Sequence, residues 1–308
     1  MVHRNSDSMK RDIFFSLIML LIPWQFNNAQ DLDAILGTLT DSNTPDYIYG
    51  TFKGTTIVNG QSVEVPGHLD LQFSISHRFG AINQGIYTLF GIDQGTTRLG
   101  FEYGLKDIIG LSIGRSTYEK TYDGAVKVKL LRQQTGSKNI PVTVSVYSAL
   151  FIKSLKWEEP DRKNLFSSRL SYSTQLLIAR KFNKNLSLQI TPSFIHKNLV
   201  PTPEDQNNIF SIGFGGRYKL SKRFSLNGEY YWLLPGETAD IYSNSLGLGF
   251  DIEAAGHVFQ IMATNSQLMF ARGFITETEG KWSEGDVFFG FNIYRAFSTA
   301  KKDKNRKY

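Results

Sequence analysis

The sequence has no cysteine among its 308 residues. This excludes disulfide bonds, thiolate metal sites and a lipid-modified N-terminal cysteine. Long apolar runs are scarce as well. One run, residues 13–24, holds about a dozen residues, fewer than the ~20 that a membrane-spanning helix needs, and no second apolar helix follows it. The chain must therefore be stabilised without covalent crosslinks and without a helical membrane core.

The N-terminal region has the order of features found in export signals. Basic residues that include Lys10 and Arg11 precede the apolar run 13–24, and a short polar stretch ends at Ala29. This order predicts a secretory signal peptide over residues 1–29, cleaved after Ala29. An uncleaved anchor is the alternative.

The net charge of +6 is concentrated at one end of the chain. Residues 299–308 contain five basic residues and one acidic residue, a net charge of +4. Such a short basic segment is typical of a disordered, solvated tail. No basic groove interleaved with aromatic residues accompanies it, so nucleic-acid binding is not expected.

Residues 30–66 differ from the rest of the mature chain. Residues 55–65 are centred on Asn59-Gly60, the strongest short signal for a β-hairpin. The segment is interpreted either as a periplasmic lead-in or as a partial plug in a barrel mouth, and the lead-in is favoured.

Residues 67–298 contain segments in which apolar and polar residues alternate with a period of two, as they do in strands. Segments of 9–11 residues suffice for a tilted strand to cross a bilayer. Twelve such segments predict an all-β fold, an antiparallel transmembrane β-barrel of about 12 strands. Their spans are 68–79, 96–105, 108–116, 122–132, 141–151, 168–182, 185–195, 209–220, 224–233, 243–253, 257–265 and 286–297.

The connections and the two strand faces predict a membrane environment. Short turns and long loops alternate, which is typical of outer-membrane barrels with short periplasmic turns and longer extracellular loops. Within 209–220, one face is large and apolar, whereas the other consists of Gly, Ser, Arg and Lys. The apolar face suits lipid and the small polar face suits a wet lumen. We therefore expect the outer membrane of a two-membrane bacterium, with membrane lipid as a partner.

Six short runs resemble a family of bacterial membrane-bound β-barrel domains whose activity is not established. The resemblance extends over about residues 49–297 and implies location and fold only. The runs are Ile75-Ser76-His77-Arg78-Phe79-Gly80, 114–124, Leu176-Leu177-Ile178-Ala179-Arg180-Lys181-Phe182, Asn198-Leu199-Val200-Pro201-Thr202, Gly216-Arg217-Tyr218-Lys219-Leu220 and Gly256-His257-Val258-Phe259-Gln260.

Catalytic signals are weak. Ser112 lies in a Gly-x-Ser-x-Gly match, but it is placed mid-strand without the following helix that a nucleophile elbow requires. Ser193, His196 and Asn198 are the candidates for a barrel hydrolase acting on lipid. The five histidines show no metal-ligand spacing, so no metal, no cofactor and no enzymatic activity are expected.

Charges of both signs remain for the interior if the apolar faces point outward. They are interpreted either as a lattice of salt bridges that fills the lumen or as the lining of a polar conduit. The residues are Asp70, Arg98, Glu102, Lys127, Lys129, Arg169, Arg217, Lys219, Glu229, Asp251 and Glu253.

The loop 80–95 is long and carries many apolar side chains for a loop in water. We expect it to fold inward and constrict the lumen, with Tyr87 and Phe90 against the strand walls. The alternatives are a lid-like cap or a docking patch for a partner protein.

These features predict an outer-membrane barrel that acts as a narrow passive channel or as a membrane-embedded partner of other envelope proteins. A barrel hydrolase acting on lipid is the alternative, and a soluble secreted β protein is a further one.

Overall fold

A computed structural model describes residues 44–157, 159–200, 202 and 205–300. Nearly all of them belong to one compact unit, Asp46–Tyr308, whereas the other unit, Met1–Pro45, lies almost wholly outside the described residues. The predicted signal peptide, residues 30–43 of the predicted lead-in and most of the predicted basic tail also lie outside them. No helix in the described part of the chain is long and apolar enough to cross a bilayer.

The strands follow the alternating segments of the sequence, and the predicted ends lie within two residues of the observed ones. Along the chain they are β1 (Pro45–Tyr47), β2 (Asp70–Ala81), β3 (Gly95–Lys106), β4 (Ile109–Ser116), β5 (Tyr122–Leu131), β6 (Gln134–Gly136), β7 (Thr143–Ile152), β8 (Leu170–Lys181), β9 (Leu186–Lys197), β10 (Asn208–Lys219), β11 (Phe224–Leu233), β12 (Ser245–Ala254), β13 (His257–Thr264) and β14 (Phe288–Ser298).

All strands except β1 and β6 pair into one closed ring. Each pairs antiparallel with its neighbour in the chain, and β14 closes the ring by pairing with β2, for example at Ile293 opposite Ile75. The predicted twelve-stranded antiparallel barrel is confirmed. Closure satisfies the backbone hydrogen bonds of every strand and leaves no open sheet edge.

Within the described residues, the helical segments are short and lie in the connections between strands. Two are α-helical, α1 (Glu237–Ile241) and α2 (Ala271–Thr276), and the 3-10 turns are Ile82–Gln84, Ile86–Thr88, Tyr118–Lys120, Phe166–Arg169 and Trp282–Glu284. The connections at the opposite end are tight, except that residues 132–142, between β5 and β7, contain β6. Ala255 and Gly256 join β12 to β13 with φ of 49° and 76°, the left-handed conformation that a two-residue hairpin turn demands.

The two faces of the wall differ as the alternation predicts. Phe210 and Leu248 are more than half exposed on the outside, whereas Ser211 and Ser245, at inward positions of the same two strands, are buried. The outside therefore presents a continuous apolar surface suited to lipid. The inward positions are buried because other parts of the chain fill the lumen.

The buried core of the molecule lies inside the ring. Apolar side chains from the wall, including Phe151 and Tyr231, pack with side chains from two segments that are not strands of the ring. The first segment is residues 51–66, here called the lumenal hairpin. The second is residues 265–287, here called the mouth loop, which contains α2. The barrel is therefore filled from both ends.

The lumenal hairpin contains the Asn-Gly turn that the sequence predicts. Thr56 and Gln61 form a β-bridge, and the Ile57 N–H donates to the Gly60 carbonyl at 2.8 Å. The favoured lead-in does not describe residues 51–66, because wall side chains on opposite sides of the ring contact them. Periplasmic water would leave these apolar side chains unburied, whereas the lumen covers them.

Candidate functional site

Glu229 is the central contact of the lumenal hairpin. It lies at an inward position of β11 and is only 3% exposed. The carboxylate accepts three backbone N–H groups from the turn, those of Val58 at 3.0 Å, Asn59 at 2.7 Å and Gly60 at 2.9 Å. The turn directs successive N–H groups towards one point, and a carboxylate there makes charge-assisted hydrogen bonds with them.

Uncharged polar side chains of the wall bind other backbone atoms of the hairpin. Gln189 does so in both directions, accepting one N–H and donating to one carbonyl, as a neighbouring strand would. Gln189 Oε1 accepts from the Val63 N–H at 3.0 Å. The wall donors to hairpin carbonyls are Gln189 Nε2 to Gln61 (2.7 Å), Gln260 Nε2 to Ile57 (2.7 Å), Asn292 Nδ2 to Val58 (3.0 Å) and Ser145 Oγ to Val63 (3.1 Å).

Two lysines of β5 hold the ends of the hairpin. The buried Lys127 ammonium donates to the carbonyls of Thr55 and Glu64, each at 2.9 Å. Lys129 forms an ion pair with the Glu64 carboxylate at 2.9 Å. Both lysines thus have their partners on the hairpin, so its presence neutralises or solvates charge that the wall would otherwise leave unpaired.

Other predicted lumen charges pair within the wall or with the start of the hairpin. Arg98 binds Asp123 through two hydrogen bonds, of 3.0 and 2.5 Å. Glu253 pairs with Lys53 at 2.5 Å. These charged side chains therefore occur in the lumen as separate ion pairs.

The remaining predicted lumen residues are placed differently. Asp251 accepts from Ser225 and Gln260, and Arg217 donates to Ser225. Glu102 lines two small cavities, and Asp70 and Lys219 are half-buried at strand ends. Arg169 is an exception. It lies in a 3-10 turn, donates to the carbonyls of Lys153 and Leu155 and stacks on Trp157, so it belongs to a loop and not to the lumen wall.

Several lumenal residues were missed by the sequence interpretation. Arg78 is 1% exposed and donates to Asn59 Oδ1 at 2.9 Å and to Asn292 Oδ1 at 3.0 Å. Asp123, the partner of Arg98, was missed as well. The alternation could have found both, because Arg78 shares the inward phase of β2 with Ser76, and Asp123 shares that of β5 with Lys127.

The mouth loop closes the other end of the lumen through apolar packing. Phe274 is buried against Tyr231, with ring centroids 4.9 Å apart at a near-perpendicular angle, and Phe270 lies 5.5 Å from the ring of Phe151. Ile275 is fully buried beside them. Aromatic pairs in these geometries contribute beyond their buried area, so the loop is fastened to the wall.

Five charged side chains around this loop form a connected group, here called the mouth cluster. Arg272 bridges Glu119 (2.6 Å) and Glu277 (2.9 Å), Lys153 pairs with Glu119 (2.6 Å), and Lys197 pairs with Glu277 (2.9 Å). The cluster ties the mouth loop to the β4–β5 turn, the β7–β8 loop and β9.

The charges of the mouth cluster support one another. Burial acts to raise the pKa of Glu119, but Arg272 and Lys153 outweigh burial and hold this pKa below its usual range. Burial acts to lower the pKa of Arg272, but the carboxylates of Glu277 and Glu119 raise it. Both shifts favour the charged forms of Glu119 and Arg272.

The loop 80–95 does not fold over the lumen. Tyr87 is 93% exposed and Phe90 is 55% exposed, so neither side chain is an anchor on the strand walls. The loop is closed on itself, with the Phe90 N–H bonded to the Gly85 carbonyl at 2.8 Å and the Gly80 N–H bonded to the Gly91 carbonyl at 2.7 Å. The lumen that it was expected to constrict is occupied by the hairpin and the mouth loop.

The candidate hydrolase residues do not come together. Ser193 is buried inside and bonded to Gln175 at 2.9 Å, whereas His196 bonds to Asn208 at 2.7 Å. They are three positions apart on β9, so alternation places them on opposite faces. Asn198 donates to the Ser167 carbonyl, and Ser112 lies within β4. Within the described residues, no group of three or more potential metal ligands is gathered.

Little space remains in the filled lumen. A cavity of about 30 Å³ lies beside Arg78, Glu102 and Phe274, and a second one of about 10 Å³ lies beside Lys127. Spaces of this size hold one or a few water molecules. In this conformation the two cavities are too small for a larger solute.

The closed ring, its apolar outside and its polar wall define a transmembrane β-barrel. Residues 52–297 match the family described as a membrane bound beta barrel domain, and the chain belongs to that family. The family resemblance expected from the sequence is thus confirmed.

The solved structures that match this chain include two porins and another outer membrane protein. The NanC porin is 11% identical over 75% of this chain and 100% of that chain, with a TM-score of 0.47. The KdgM porin is 10% identical over 74% and 99%, with a TM-score of 0.45. The Acinetobacter baumannii outer membrane protein Omp33 is 9% identical over 77% and 100%, with a TM-score of 0.41. No curated protein sequence is significantly similar to this chain.

Proposed function

We propose that the protein is a barrel of the bacterial outer membrane that forms a polar conduit, closed at rest by the lumenal hairpin and the mouth loop. The observation that carries this proposal is the attachment of the hairpin, whose turn is held by Glu229 through three backbone N–H groups. The hairpin belongs to no strand of the ring, so it can leave without breaking a strand pair.

The polar residues of the inner wall favour a conduit over a purely structural barrel. A barrel with only a structural role would be most stable with its lumen filled by large apolar side chains. Here many inward positions hold Ser, Gln, Gly and charged residues, for example Ser173, Gln175 and Asp251. Water can satisfy the hydrogen bonds of these polar side chains when the hairpin departs. The charged residues among them would govern which solutes pass.

The location and orientation are part of the proposal. The apolar outer surface supports contact with membrane lipid, and the long loops support an extracellular mouth. A protease-cleavable tag at Glu279 in the mouth loop should be cut on intact cells, whereas a tag at Asn183 in the β8–β9 turn should be protected. The reverse pattern would contradict this orientation.

Planar-bilayer recording tests the conduit. The intact protein should be silent most of the time. A variant lacking residues 51–66 should conduct in bursts, and the same deletion combined with Phe274→Ala should conduct steadily. Deletion of residues 86–90 is the matched control, because the described structure shows no hydrogen bond from these residues to the hairpin or the mouth loop, so their loss should leave the intact protein silent. Silence of all variants, each verified as a folded barrel by its β-sheet circular dichroism, would contradict the proposal.

A second candidate function is the docking of another envelope protein, supported by the exposed apolar side chains of the loop 80–95. These include Ile86, Tyr87 and Phe90 at the mouth. A photocrosslinking amino acid at Tyr87 should give one discrete protein adduct in the native envelope, while the same probe at Lys184 should not. Equal adducts at both positions, or none at either, would contradict docking through this loop.

A further inference from the structure

We infer that the inner wall of the barrel is a peptide-binding site that recognises the main chain of a β-turn peptide, with the lumenal hairpin as its resident ligand. The inference rests on the proposed function, because a peptide from elsewhere can reach the wall only if the hairpin leaves the lumen. It assigns polypeptide as the class of ligand that the conduit takes.

The hydrogen bonds between wall and hairpin favour the hairpin backbone. Wall side chains accept from four hairpin N–H groups and donate to six hairpin carbonyl groups. The N–H groups are those of Val58, Asn59, Gly60 and Val63, and the carbonyls are those of Thr55, Ile57, Val58, Gln61, Val63 and Glu64. Groups present in every peptide therefore make most of the directional contacts.

The wall makes these contacts with side chains because its own backbone is committed to the ring. A sheet edge binds peptides by adding a strand, but a closed barrel has no edge. Gln189 substitutes for the missing strand, since its amide bonds to both the Val63 N–H and the Gln61 carbonyl. Gln260 and Asn292 donate to the carbonyls of Ile57 and Val58 next to the turn.

Opposite charges orient the ligand. Glu229 takes the three N–H groups of the turn, whereas Lys127, on the other side of the ring, takes the carbonyls of Thr55 and Glu64. A turn presents N–H groups at its tip and carbonyls along its arms, so only one direction of insertion satisfies both wall residues. A neutral sugar offers hydroxyl groups but no such polarity.

Glycines of the wall add selectivity for side chains. A Cβ atom at Gly247 would lie 2.9 Å from Val58 Cγ1, and one at Gly215 would overlap Ile57 Cδ1. In the hairpin, a Cβ at Gly60 would overlap the Tyr231 hydroxyl. The site is therefore shaped for two aliphatic residues followed, after one residue, by glycine.

The test uses the variant lacking residues 51–66, in detergent micelles, and a fluorescein-labelled synthetic peptide with the sequence of residues 51–66. Fluorescence anisotropy should show saturable binding. N-methylation at Asn59 removes one N–H that Glu229 accepts and should weaken binding at least tenfold. N-methylation at Thr56, whose N–H bonds to no wall group in the described structure, is the matched control and should weaken binding less than threefold.

Wall variants and a competitor complete the test. Glu229→Gln in the deletion variant should weaken binding of the unmodified peptide about tenfold, while Glu102→Gln, which removes a lumenal carboxylate with no hydrogen bond to the described hairpin, should not. Excess maltoheptaose should not compete. Absence of binding, equal loss from the two N-methylations, or competition by maltoheptaose would each overturn the inference.

The bilayer experiment separates this inference from the proposed function. A deletion variant that conducts but binds no peptide would leave the conduit intact and remove the peptide site. A variant that binds peptide but never conducts would support the peptide site and contradict the conduit. If the deletion variant does not fold, the peptide is added to the intact protein, where competition should accelerate hydrogen exchange at Val58, Asn59 and Gly60, and unchanged exchange would overturn the inference.

Discussion

The lumenal hairpin and the mouth loop close the same lumen by different physical means. The hairpin is held mainly by hydrogen bonds between its main chain and polar wall side chains, such as that from Asn59 to Glu229. The mouth loop is held by buried apolar side chains, such as Phe274 against Tyr231, and by the mouth cluster.

The difference determines how readily each closure can open. When the hairpin leaves, water replaces its hydrogen bonds, which contribute about 0.5–1.5 kcal/mol each, or about 1.5–3 kcal/mol where the partner is charged. Its four buried apolar side chains, Phe52, Ile57, Val58 and Val63, also enter water. When the mouth loop leaves, apolar side chains enter water at a cost of about 25 cal/mol per Å². The mouth loop buries seven apolar side chains and the hairpin four, so we expect the hairpin to be the more exchangeable closure.

The largest effect is expected for Phe274→Ala in the mouth loop. Truncation of a buried phenylalanine costs about 3–5 kcal/mol, so the free energy of opening this loop should fall by that amount. Hydrogen exchange of the amides in α2 measures it. Ile86→Ala in the exposed loop 80–95 is the control and should leave exchange in α2 unchanged. Equal protection in the Phe274→Ala variant and the unmodified protein would show that this ring does not fasten the loop.

A smaller effect, on the hairpin alone, is expected for Glu229→Gln. The substitution preserves shape but replaces charge-assisted hydrogen bonds with neutral ones, and bonds to charged groups contribute about 1.5–3 kcal/mol. Exchange of the Val58, Asn59 and Gly60 amides should accelerate accordingly, while exchange in α2 should not. Equal acceleration in both regions would mean that the two closures open together.

Lys197→Met should weaken the mouth loop slightly. The methionine preserves most of the apolar stem but removes one ion pair of Glu277, which retains Arg272 as a partner. We expect a loss of about 1 kcal/mol in the free energy of loop opening, measured by exchange in α2. Lys281→Met is the matched control, because its pair with Glu284 is exposed and its loss should have no measurable effect. A larger effect at Lys281 than at Lys197 would argue against the mouth cluster.

The smallest effect on the stability of the mouth loop is expected from lowering the pH. The pKa of Glu119 is lower in the folded protein than its unfolded value of about 4.3. The contribution of ionised Glu119 to the stability of the mouth loop is therefore fully present above the unfolded pKa and is lost as pH falls through the lowered folded pKa. Exchange in α2, corrected for intrinsic rates, should rise only below about pH 4. Glu119→Gln should lack this acid step, and a step that persists in this variant would assign it to another group.

The loops show where sequence interpretation stops. The loop 80–95 and the mouth loop are both long and both carry apolar side chains, yet Tyr87 is exposed and Phe274 is buried. Apolar content predicts that a loop needs cover, but it does not say which of two loops obtains the one available lumen. The choice depends on shape against Phe151 and Tyr231, which only the folded wall provides.

The sequence by itself determined the barrel, because strand periodicity is local. Alternation with a period of two assigns each side chain to a face, and the short turns and long loops follow from the same segments. It therefore predicted the twelve strands and the apolar outside. Arg169 was misplaced because it lies just before β8, where alternation no longer applies.

Only the tertiary structure decided what fills the barrel. The hairpin around Asn59-Gly60 was predictable from its turn, but its position was not, since its partners are spread over the ring at Glu229, Gln189 and Lys127. Contacts between residues so distant in sequence arise only when the ring has closed around one lumen. Closure creates a single buried space, and the segments that best satisfy its polar groups and cover their own apolar side chains occupy it.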